Sequence, residues 1–222
     1  MIMSAHQPAY LPWLGYFDKI KRSDVFVFLD TVQYEKNSFT NRNKIKTANG
    51  PVWLSIPVIK KNHFEKKMNE IVIDSNYNWQ KKHLNAIKLA YSRAKNFNLL
   101  FPKLEKLYEK KRETLVETTL EHLEFWLDVL EIDTKIVLSS ELGVNSKKSD
   151  LVLDLCKSVG ADYYISGPMG KDYLKLDKFD ECKINVEIQD YTHPVYKQLY
   201  GDFIPNMGII DFVMNCEDYS II

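Results

Sequence analysis

The stretch MIMSAHQPAYLPWLGYFDKIKRSDVFVFLD (Met1–Asp30) decides the fold. Met1 to Ala5 and Asp24 to Asp30 read as buried strands. In the second, Val25, Phe26, Val27, Phe28 and Leu29 form an unbroken β-branched and aromatic run, the pattern of a parallel strand covered on both faces. Gly15 to Arg22 leaves room for two turns of helix between them. Strand, loop, helix, strand is a right-handed βαβ unit in an economical form. The loop itself is dense, with His6, Gln7, two prolines and several aromatics between the first strand and its helix.

Further along, PVWLSIPV (Pro51–Val58) and NEIVID (Asn69–Asp74) read as strands, with the turn signal Asn49-Gly50 just before them. Asn78 opens a helix whose apolar stripe is Leu84, Ile87, Tyr91 and Ala94. Pro102 suits the first residue of another helix, which runs to about Glu131. TKIVLSS is then a strand. Ser149 N-caps a helix that stops at Gly160, and DYYIS, KINVEIQDY and GIIDFVMNC give two more strands and a last helix. The expectation is one α/β domain over residues 1–222, with a mainly parallel Rossmann-like sheet and a helical insertion at about 76–132.

Composition is that of an ordinary globular chain, 45% hydrophobic and 27% charged in 222 residues. No apolar run is long enough to span a bilayer, and MIMSAHQ lacks the basic and apolar regions of a signal peptide, so no membrane and a cytoplasmic location are expected. Three scattered cysteines without CxxC spacing argue against a disulfide framework or a zinc site, and no metal cluster stands out. The net charge of zero hides an asymmetry. Lys36 to Arg112 holds 18 Lys and Arg against 5 Asp and Glu, whereas Glu113 onward holds 9 against 21. The basic centre faces an anion, packs on the acidic half, or is solvated. No nucleic-acid motif accompanies it.

Parallel α/β sheets bind ligands outside the carboxyl ends of their strands. His6-Gln7-Pro8, Asp30 to Tyr34 and Ser166-Gly167-Pro168 all lie just past expected strand ends. His6 is the one histidine so placed, and can serve as general acid/base or as a donor to phosphate or oxyanion. In NSFTNRNKIKT, Arg42, Lys44 and Lys46 with the amides of Asn41 and Asn43 form a basic loop suited to a diphosphate. There is neither a Walker A sequence nor a GxGxxG after a strand. SGPMGKDY, with Gly167, Gly170 and Tyr173, allows close backbone approach to a ligand. QDYTHPVYKQLYGDF, with Gln189, Tyr196 and Gln198, is an aromatic and amide segment fit for a sugar or base platform, and Asp211 in GIIDFV must find a partner if buried. His63, His83 and His122 read as surface residues on lysine-rich or helical stretches.

HQPAYLPWLGYFDKI, SDVFVFLDTVQYEK, NRNKIKT, WLSIPV, WQKKHLNAI, GADYYISGPMGKDYL and IQDYTHPVYKQLYGDFIPNMGIIDFVMN, in that order, resemble the WbqC-like family over nearly the whole chain. Gly208 departs from that pattern, standing where a serine is expected. The resemblance implies a role in O-antigen, capsule or related lipopolysaccharide biosynthesis. The opening unit also resembles, loosely, that of the nucleotidylyltransferase superfamily, where a histidine pair near a helix N-terminus binds triphosphate. Here only His6 is kept, with Pro12 to Gly15 in place of the second histidine. The reading is a transferase acting on a nucleotide-activated (amino)sugar or related phosphorylated small molecule. His6 and Asp30 are its catalytic candidates, with Gln7, Tyr10, Gln33 and Tyr34 shaping the site. A nucleotidylyltransferase releasing pyrophosphate and a non-catalytic partner of glycan enzymes are the alternatives. Cofactors stay undefined, and a homodimer through the helices is possible.

Overall fold

A computed structural model describes residues 1–59 and 66–222; His63 and most of the lysine-rich 59–68 stretch lie outside them. The opening unit forms as expected: β1 (Ile2–His6), α1 (Leu14–Lys21) and β2 (Val25–Phe28). A hairpin follows, β3 (Arg42–Thr47) antiparallel to β4 (Gly50–Ser55), turning at the Asn49-Gly50 signal. Three helices come next, α2 (Trp79–Tyr91), α3 (Phe97–Glu109) and α4 (Leu115–Val129). The chain then returns to α/β through β5 (Lys135–Leu138), α5 (Lys148–Val159), β6 (Tyr163–Ser166), α6 (Leu176–Glu181) and β7 (Asn185–Ile188), and ends on α7 (Ile209–Asn215).

The main sheet is five-stranded and parallel throughout, in the order β5-β2-β1-β6-β7, flanked by helices in a Rossmann-like arrangement. Strand order reverses between β1 and β6, the switch point at which ligand crevices open in such sheets. All four residues of β2 are buried, as its continuous apolar run requires. Val25 and Val27 join Met3, Leu155, Cys156 and Phe179 on one side of the sheet, while Phe26 and Phe28 join Phe17, Trp126 and Phe212 on the other. Burying each phenylalanine contributes about 1.5–3 kcal/mol. Among the described residues no helix is long and apolar enough to cross a membrane.

Several expectations are corrected. NRNKIKT is strand β3 rather than a loop, because Asn43, Ile45 and Lys46 are covered by the opening loop, the helices and the C-terminal segment. Asn69–Asp74 forms a 3-10 turn at Met68–Glu70 and, among the described residues, only isolated bridges at Val72 and Ile73. Pro102 sits inside α3; the bond it forgoes belongs to the carbonyl of Asn98, an exposed residue that water can serve. The helical pattern to Glu131 is broken into α3 and α4, the latter opened by a capping box of Thr114 and Glu117. Ser149 lies within α5, its buried hydroxyl accepting from Lys175 N–H at 2.9 Å. Gly160 does end that helix in the left-handed conformation. His83 and His122 are core residues, 5% and 2% exposed, because α2 and α4 are covered on the faces that carry them.

Candidate functional site

The β1–β6 switch point opens into a cleft of about 520 Å³. Its walls come from the end of β1 (His6), from α1 and the residue before it (Trp13, Gly15, Tyr16, Lys19), from the turn after β6 (Gly167, Pro168, Lys171) and from the chain after β7 (Gln189, Asp190, Tyr191) with Asn206. A broader groove of about 1080 Å³ lies along α2 and α3, away from the strand ends.

The opening loop holds its shape through specific contacts. Leu11 is in the left-handed region at φ 48°, just before Pro12, which costs on the order of 1–3 kcal/mol. The loop is held there by Asn43, whose amide donates to the Leu11 carbonyl at 2.6 Å, and by Tyr10 N–H on the Phe39 carbonyl. Tyr16 donates to the Gln7 carbonyl at 3.2 Å. His6 is thereby fixed between Trp13 and Tyr16, with ring centroids at 5.5 and 4.8 Å. Its Nδ1 lies 3.0 Å from the Gln7 carbonyl. A carbonyl only accepts, so Nδ1 carries the proton and Nε2 of the neutral ring keeps its lone pair. Burial, and after it the Lys19 charge, pushes this imidazole down to about 3.

Lys19 is the residue that sequence reasoning missed. It is 2% exposed, and its Nζ donates to the Ala5 carbonyl at 2.8 Å, just beyond the last β1–β6 pair, Ser4 with Ile165. Among the described residues it forms no ion pair with a carboxylate. Burial pushes its ammonium down to about 7. The position is rigid: Ser23 donates to the Lys19 carbonyl at 2.8 Å, and Ser4 packs 2.7 Å from Ser23. The N-terminus of α1 has no side-chain cap at Trp13, so its first N–H groups add positive potential to the same wall. Gly15 is needed there, since a Cβ would stand 2.9 Å from the Tyr191 ring. Among the described residues the buried Tyr191 hydroxyl has no partner, and burial with the nearby Asp18 raises its pKa. Gln189 ties the wall together by donating to Asp18 at 2.6 Å and to the Gly15 carbonyl at 2.8 Å. Gly170 fits because a Cβ would meet the Ser166 hydroxyl at 1.9 Å.

Of the residues singled out in the sequence, the cleft gathers His6, Gly167 and Gln189, with Gln7 and Ser166 beside them. Tyr173 is in the same turn as Gly167, near Tyr164. Asp30 faces elsewhere: its carboxylate accepts from Ser139 at 2.8 Å and from Ser140 N–H at 2.9 Å beyond β5. Gln33 bridges to Lys67, and buried Tyr34 pairs its N–H with the Lys66 carbonyl. Tyr10 is fully buried, its hydroxyl 2.8 Å from His83 Nδ1 and 2.5 Å from the Tyr108 hydroxyl. Asn41 donates to the Ile56 carbonyl. Arg42 and Lys44 lie over the Trp53 ring at 4.4 and 4.8 Å, outside the cleft wall. Lys46, Tyr196, Gln198 and Asp211 do meet, but in a buried cluster of their own. Asp211 accepts from Tyr91 at 2.9 Å, Tyr196 at 2.8 Å and Gln198 at 2.7 Å, while Lys46 reaches Gln198 at 3.1 Å.

Fold and cleft together define an α/β protein with an aromatic-walled crevice at its sheet switch point, lined by Lys19, Lys171 and Asp190. The chain belongs to the WbqC-like protein family, whose profile matches residues 7–221. It is similar to an uncharacterized protein of Mycobacterium tuberculosis, 35% identical over 211 residues that cover 94% of this chain and 91% of the relative. No solved structure matches it significantly.

Proposed function

We propose that this protein is a cytoplasmic enzyme of surface-glycan biosynthesis that takes a nucleotide-activated sugar into the β1–β6 cleft and transfers from it to an acceptor. The observation that carries the reading is Lys19, a buried cation without a carboxylate, set beside His6 and the uncapped start of α1. A buried ammonium costs free energy unless an anion offsets it. A diphosphate resting on Lys19 and the α1 N–H groups supplies that anion. Its charge raises the pKa of both Lys19 and His6, which makes the imidazole a better base once substrate is bound.

In the transfer, His6 Nε2 takes the proton of the acceptor hydroxyl as that oxygen bonds to the sugar carbon. The bond from that carbon to the diphosphate oxygen breaks, and the leaving electron pair stays on the diphosphate, held by Lys19. Gln189, Asp190 and Tyr191 line the side where the sugar sits. Thermal shift with nucleoside diphosphates and nucleotide sugars tests this. Dose-dependent stabilisation is expected for the wild type. His6→Ala should keep that binding and lose turnover by about 10²–10⁴-fold. Absence of any shift across the nucleotide panel would sink the reading.

A further inference from the structure

Beyond the cleft, an aromatic row continues outward over the hairpin. Trp13 lines the cleft and meets Phe39 at 5.9 Å between centroids, and Phe39 meets Trp53 at 5.8 Å. Phe39 and Trp53 are 46% and 41% exposed, unusual for rings of that size, with Arg42 and Lys44 lying over part of the Trp53 ring. Arg42 and Lys44 project on the same face of β3, where Lys44 stands opposite Trp53 and Arg42 opposite Ser55 in register, and neither forms an ion pair among the described residues. The Arg42 guanidinium spends one nitrogen on the Asn37 carbonyl at 2.5 Å, and its buried Nε has no partner.

We infer that the row Trp13, Phe39 and Trp53, with Arg42 and Lys44, is an extended subsite for an acidic saccharide leading into the cleft. The inference rests on the proposed function for the direction of the chain, but its chemistry stands on this surface. Neighbouring rings are tilted by 55° and 42° and form no single stack; Trp13 and Phe39 can each meet a ring of a bound chain, while Arg42 and Lys44 over Trp53 set the positive charge at the outer end of the row. Both cations converge on a single ring, which suits one carboxylate or phosphate substituent rather than a run of backbone phosphates.

The test is titration of the full chain with a glucuronate-bearing tetrasaccharide, its carboxyl-reduced counterpart and a single-stranded oligonucleotide, read by tryptophan fluorescence and by NMR. Binding of the acidic saccharide should exceed that of the neutral one by about tenfold or more, and Trp53→Ala should weaken it by about tenfold. Arg42→Ala with Lys44→Ala should erase the preference for the acidic form while nucleotide binding in the cleft is unchanged. Equal binding of both saccharides, unaltered binding by Trp53→Ala, or preferential binding of the oligonucleotide would each overturn the inference. Nucleotide binding measured in the same samples reports separately on the cleft, so its failure is not confused with failure of the row.

Discussion

Around Asp211 the buried polar groups find partners inside the protein, whereas around Lys19 the partners run short. Asp211 takes three donors, and Lys46 reaches Gln198 and the Asp202 carbonyl. Tyr91 closes the ring by also accepting the Lys46 N–H at 3.1 Å. Among the described residues Lys19, by contrast, reaches one backbone carbonyl, His6 keeps a lone pair, and the Tyr191 hydroxyl finds no partner. A polar cluster that closes on itself holds distant segments together. One that stays open leaves groups able to meet a ligand, and on that the proposed reading of the cleft rests.

This contrast predicts where substitutions hurt. Asp211→Ala removes the acceptor of three donors and the negative charge facing Lys46, and should cost about 3–5 kcal/mol of stability. Urea titration measures it, and cleft ligand affinity of the folded fraction should not change. A loss below about 1 kcal/mol would mean that the cluster is not a structural clamp.

A second buried cluster, with two histidines among aromatic rings, adds to the acid sensitivity that His6 also brings. His83 and His122 pack with Tyr10, Trp79 and Tyr108, and burial pushes them down to about 4 and about 3. Their folded values lie below the ordinary 6.5, so the unfolded chain binds more protons between that pH and the folded values. Stability is therefore full above about 6.5 and is lost as pH falls toward 4, at up to about 1.4 kcal/mol per unit for each histidine. His122→Phe replaces a ring whose Nδ1 has no partner, so it should cost little at pH 7 and flatten the acid slope. Denaturant midpoints at pH 7, 6 and 5 check both statements; an unchanged slope in the variant would overturn the assignment.

How much of this was legible in the chain depends on the range of the interaction. The valine and phenylalanine run of β2 and the position of His6 at the end of β1 are local patterns, and both point to the carboxyl edge of the sheet. Gly160 stopped its helix for an equally local reason. The basic run Arg42, Lys44 and Lys46 misled, because its members part company in space. Lys46 is covered by residues more than 150 positions away, while Arg42 and Lys44 stay on the outer face. Lys19 was invisible, since a lysine in a short helix reads as solvated. A signal existed in hindsight: Lys19 is four residues from Gly15, the same helix face, and Gly15 fits only where another segment presses close.

The smallest stability effect expected is also the sharpest test of the contrast. Lys19 folds with its ammonium pushed down to about 7, so below that pH both states are charged and burial is a steady penalty. Above it the folded state sheds its proton first, and stability gains as pH rises toward the ordinary lysine value. Lys19→Met removes the penalty and loses one hydrogen bond to the Ala5 carbonyl, worth about 0.5–1.5 kcal/mol. The variant should then be as stable as the wild type at pH 6, or more so, by about 0–2 kcal/mol, with the gain shrinking above pH 7. Nucleotide-dependent stabilisation should vanish in the same protein. A residue kept for packing would behave the other way, costing stability and sparing the ligand. Loss of about 2 kcal/mol or more at pH 6 with nucleotide binding intact would move Lys19 into the same structural class as Asp211 and leave the cleft without its cation.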